Sequence, residues 1–64
     1  MNLEQILAEI EAANYVYELN LDFEGYDMWV CHRTADVGHT FVGDSPVEVA
    51  TKAYEWIRDG GAEI

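Results

Sequence analysis

Four residues able to do chemistry fall between positions 31 and 39: Cys31, His32, Asp36 and His39. A thiolate beside an imidazole base is a nucleophile, and the same donors bind zinc. Neither chemistry follows here. Zinc sites bring ligands in doublets, and this chain has a single cysteine. Neighbouring residues on a strand point to opposite faces, so Cys31 and His32 cannot converge. Gly38 and Gly43 read as turn glycines outside any phosphate-cradling pattern. The expectation is no catalytic residue, no metal, no cofactor and no enzyme.

The carboxylates carry more information. Thirteen acidic residues stand against three basic ones in 64 residues, a formal net charge of −10. Yet 50% of the chain is hydrophobic and 12% aromatic, which is not the composition of a disordered acidic tail. Glu18, Asp22 and Glu24 alternate along one side of a predicted strand, about 6.6 Å between residues two apart. Asp27 can join them across a turn. Glu4 and Glu11, seven residues apart, share a helix face and would flank the array. One reading is a solvated coat that keeps a small protein soluble. The other is an array imitating a phosphate backbone, which in duplex DNA places one charge per roughly 1.7 Å of axis. Such an array would meet a basic protein surface, with Trp29 as an aromatic anchor. Direct binding to nucleic acid or to anionic lipid is excluded by repulsion.

These side chains need elements to hold them. Leu3, Ile6, Leu7 and Ile10 recur at helical spacing and predict a helix over 2–13, with Asn2 as cap and Asn14 ending it. Tyr15, Tyr17, Leu19, Leu21 and Phe23 then alternate with Val16, Glu18, Asn20, Asp22 and Glu24, predicting a strand with one wet face. Glu24-Gly25 reads as a hairpin turn. A second strand over 26–33 alternates less cleanly. Either Met28 and Val30 or Trp29 and Cys31 face the core. After a turn at 35–38, residues 39–42 make a third strand. Ser45, Pro46 and Glu48 predict a helix start with a capping box. Its buried face holds Val49, Ala53, Trp56 and Ile57, and Gly60-Gly61 stops it. Glu48 and Lys52 are spaced to pair, and Arg58 suits the last turn. The fold class is α+β, in the order α-β-β-β-α: a three-stranded antiparallel sheet with two helices packed on one face.

Residues 1–64 are expected to form one domain, marginal in stability because a chain this short buries only about 60% of its surface. The lone Cys31 cannot form an internal disulfide, which fits a reducing cytoplasm. No secretion signal or membrane span is expected.

The stretch from His39 through Gly43-Asp44-Ser45-Pro46 to Ala50, running into Trp56-Ile57, resembles a strand-to-helix junction of small bacteriophage-encoded α/β proteins. HicB-like antitoxin domains show a similar junction. The whole chain, small, acidic and with one free cysteine, resembles phage anti-CRISPR proteins. That resemblance implies an inhibitor occupying a DNA-binding subunit of a CRISPR–Cas surveillance complex in the host cytoplasm, acting as a monomer. The alternative is a HicB-like antitoxin or regulatory module that binds a basic toxin as a dimer.

Overall fold

A computed structural model describes residues 1–61. Helix α1 spans Leu3–Ala12, strands β1, β2 and β3 span Tyr15–Asp22, Gly25–His32 and His39–Gly43, and helix α2 spans Pro46–Arg58. The order is α-β-β-β-α. The strands form one antiparallel sheet in the order β1-β2-β3.

Each helix begins on side-chain caps. The Asn2 side chain accepts from Gln5 N, and the Gln5 side chain accepts from Asn2 N, each at 2.9 Å. This reciprocal box satisfies two amides that α1 would otherwise leave orphaned. Asn14, at φ 70°, turns the chain out of the helix. At α2, Ser45 Oγ accepts from Glu48 N as expected. The expected capping box is displaced by one residue, because the Glu48 carboxylate accepts from Asp44 N rather than from Ser45 N. The expected Glu48–Lys52 pair gives way too: Lys52 Nζ reaches across to the Val42 carbonyl at 2.6 Å. α2 closes on a Schellman arrangement, Gly61 N to Trp56 O and Gly60 N to Ile57 O, with both glycines at positive φ.

Strand register settles which side of β2 is buried. Tyr17 opposes Val30 and Leu19 opposes Met28. These residues therefore share the helix-facing side, and Met28 and Val30 lose all solvent exposure. They pack with Ile6 and Ile10 of α1 and with Val49, Ala50 and Ala53 of α2. Each such aliphatic side chain contributes about 1.5–3 kcal/mol on burial. Trp56 and Ile57 stay half-buried at the margin, where Trp56 meets Tyr15, His39 and Phe41 at centroid distances of 6.1, 4.3 and 5.7 Å.

The hairpin end differs from the sequence expectation. β1 stops at Asp22, the loop is Phe23-Glu24, and Gly25 opens β2 at φ 131°. Leu21 and Phe23, expected on the core face, are 68% and 97% exposed. Element lengths explain why. The eight residues of β1 reach about 26 Å, whereas the ten of α1 reach only about 15 Å. α1 is followed at once by the start of β1, so it covers that end and leaves the hairpin overhanging.

Candidate interaction surface

The sheet face away from the helices is built in rows by the register. Glu18, Trp29 and Thr40 lie side by side, and Asn20, Asp27 and Val42 form the next row. Val16 pairs with Cys31 on one flank, and Asp22 with Gly25 on the other. Glu18, Asp22 and Asp27 therefore share one face with Trp29, on three hydrogen-bonded strands that contain no lysine or arginine. Asn20 Nδ2 donates to Asp27 Oδ1 at 3.2 Å, fixing one carboxylate of the set. At the turn, Asp22 Oδ1 accepts from Glu24 N at 2.8 Å, an Asx-type bond that locks the loop and presents the Glu24 side chain at its tip.

Trp29 is 38% exposed and lies at the centre of this face. Its position is set by Gly38, in the connection between β2 and β3. A Cβ on Gly38 would lie 2.2 Å from the indole Nε1, so only glycine lets the backbone approach that ring edge. Trp29 is thus held with its indole edge against the Gly38 backbone, on the sheet face away from the core.

The structure separates the sequence-selected residues into two groups. Glu18, Asp22, Asp27 and Trp29 come together, with Glu24 at the adjoining tip. Glu4 and Glu11 stand on α1, in the layer on the other side of the sheet. Glu11 meets Tyr17, whose hydroxyl donates to it, and this contact does not extend the array. Burial raises the Tyr17 pKa above its usual 10.0, helped by the negative charge of Glu11 and by that hydrogen bond.

Two carboxylates missed by sequence reasoning belong with the hairpin end. A cleft of about 390 Å³ is lined by Asp22, Glu24, Asp27, Asp44 and Glu48, with Lys52 at its side. Asp44 and Glu48 arrive there because β3 runs antiparallel to β2 and pairs Gly43 with Tyr26. No local pattern announces this, because it depends on strand pairing between distant residues.

The thiol and imidazole groups are dispersed. Cys31 Sγ bonds the carbonyls of His32 and Ala35 at 3.4 and 3.6 Å. The His32 ring packs edge-on to Tyr15 at 5.0 Å, and its Nδ1 meets Thr34 Oγ1 at 2.8 Å. The His39 ring lies against Trp56 on the helix side. Among the described residues no group of three His, Cys, Asp or Glu side chains could hold a metal ion. None of the described helices is long and apolar enough to cross a membrane. No protein-family model matches the chain, and no curated protein and no solved structure matches it either.

Proposed function

We propose that this protein is a non-enzymatic inhibitor whose acidic sheet face occupies a basic, nucleic-acid-binding surface of a partner protein. The observation that carries the reading is the strand face itself, which Glu18, Asp22 and Asp27 share with Trp29, with no lysine or arginine on any strand. Carboxylates on paired strands keep their spacing without further ordering, so little entropy is lost when they meet lysine and arginine. Charges of this kind steer encounter and set salt dependence, while an indole supplies the apolar anchor. Size, acidity and architecture make a CRISPR–Cas surveillance complex the specific target proposed, with its DNA-binding subunit as partner.

The test is an interference assay in cells carrying an active CRISPR–Cas system and a targeted plasmid. Expression of the chain should restore plasmid survival. The triple variant Glu18→Gln, Asp22→Asn, Asp27→Asn should abolish that protection while remaining folded. Protection that persists in the triple variant would end the mimicry mechanism. Absence of protection with every system tried would end the target assignment.

A further inference from the structure

The sheet has two edges, because β2 lies between β1 and β3. The β3 edge is only five residues long and is guarded, since Lys52 Nζ takes the Val42 carbonyl at 2.6 Å. The β1 edge has no such guard. Its eight residues include no lysine and no proline, and its register against β2 runs from Tyr15–His32 to Asp22–Gly25 without a bulge. Folded proteins blunt exposed edges with those devices, because an open ladder of N–H and C=O groups templates another strand. In an antiparallel pair every second residue of β1 turns its backbone groups away from β2. Among the described residues, no backbone hydrogen bond from outside the sheet reaches Tyr17 to Asp22. Helix α1 stands over the start of β1, where Glu11 accepts from the Tyr17 hydroxyl, so the open stretch is Glu18 to Asp22.

We infer that the β1 edge from Glu18 to Asp22 accepts an extended basic segment of the partner as a fourth strand of the sheet. This deepens the proposed function and rests on it in taking the partner to be basic. The pleat dictates the sequence such a segment carries. Glu18, Asn20 and Asp22 point to the face away from the helices, whereas Leu19 and the exposed Leu21 point to the helix side. Directly opposed side chains lie about 4.5–5.5 Å apart. The segment therefore sets one cation opposite Glu18, a second opposite Asp22, and apolar side chains opposite Leu19 and Leu21. The pattern Lys-Val-Thr-Val-Lys meets all these positions and reads the same in either strand direction. Charge decides against a second copy, which would bring another −10 and add its own Glu18 and Asp22 to the same edge. Main-chain bonds supply affinity in this mode, and alternate side chains supply specificity.

The probe is the peptide Thr-Thr-Lys-Val-Thr-Val-Lys-Thr-Thr, set against Thr-Lys-Lys-Thr-Val-Val-Thr-Thr-Thr, which has the same composition without the alternation. Two further versions of the first peptide carry N-methyl groups on alternate amides, one version for each set, because an added edge strand bonds through one set only. Binding is followed by titration at low salt, with hydrogen exchange on the protein and sedimentation for its oligomeric state. The chain should bind the patterned peptide about tenfold more tightly than the permuted one, a difference of about 1.4 kcal/mol. One N-methylated version should fall to the permuted level and the other should bind as the parent does. Alternate amides within Glu18 to Asp22 should exchange more slowly in the complex. Equal affinity for the patterned and permuted peptides, or undiminished binding of both N-methylated versions, would overturn the inference while leaving the electrostatic reading intact. Failure of every peptide to bind at low salt would remove both. A wild-type dimer whose Glu18 to Asp22 amides are protected without peptide would assign the edge to a second copy and overturn the inference.

Discussion

The two ends of the sheet are built from similar residues and treated in opposite ways. At the end where β1 begins, Tyr15 is buried and joins His32, His39, Phe41 and Trp56 in an aromatic layer under the helices. At the hairpin end, Leu21 and Phe23 continue the same alternation into solvent. One end spends its apolar side chains on stability, and the other leaves them exposed. Residue type alone therefore does not decide which apolar groups make the core. The reach of the covering helix does.

The largest effects that sharpen this contrast come from the covered region. Met28→Ala should cost about 2–5 kcal/mol, since a fully buried side chain leaves a cavity. In a domain of this size that approaches the whole stability, and chemical denaturation followed by circular dichroism should show little cooperative transition. Leu21→Ala, the same kind of truncation at the overhang, should shift the midpoint hardly at all. Comparable losses at both positions would mean that the hairpin is covered after all.

Gly25→Ala tests the hairpin from the backbone. The residue sits at φ 131°, and a Cβ there would lie 2.7 Å from the Gly43 carbonyl oxygen. The expected cost is about 1–3 kcal/mol, read from the same unfolding curves. Ser45→Ala should cost about 1 kcal/mol by leaving the Glu48 amide without its cap. Neutralising Glu18, Asp22 and Asp27 together should raise the melting temperature slightly at low salt by relieving repulsion, with the gain disappearing as salt is added.

The smallest effect is a titration. Tyr17 ionises above 10.0 in the folded chain, so stability associated with its neutral form is present below that pH and falls as pH rises through and beyond it. Ultraviolet detection of tyrosinate, with Tyr17→Phe to assign the signal, should place Tyr17 above 10.0, and Glu11→Gln should move it down. No movement would break the Glu11–Tyr17 contact and free Glu11 to be counted with other surface carboxylates.

Much of the architecture was legible because local signals agreed. The alternation through Tyr15–Leu21 marks a half-wet strand, and Asn2, Ser45 and Pro46 mark the helix starts. Three features were not legible. Met28 and Trp29 are both apolar, and only pairing with Leu19 and Glu18 decides which goes inside. Leu21 obeys the alternation, which assigns a face but cannot say whether anything covers it. Asp44 and Glu48 join the acidic cleft through long-range register. The position of Trp29 depends likewise on Gly38, nine residues away, whose missing side chain makes room for the indole edge.

Amide-resolved NMR during titration with a short lysine-rich peptide asks where a cationic partner lands. If the acidic groups on paired strands are the docking site, shifts should concentrate at Glu18, Asp22 to Asp27 and the Trp29 indole, and α1 should stay silent. Equal shifts at Glu4, Glu9 and Glu11 would show a peptide drawn to negative charge wherever it occurs, and would contradict a built surface.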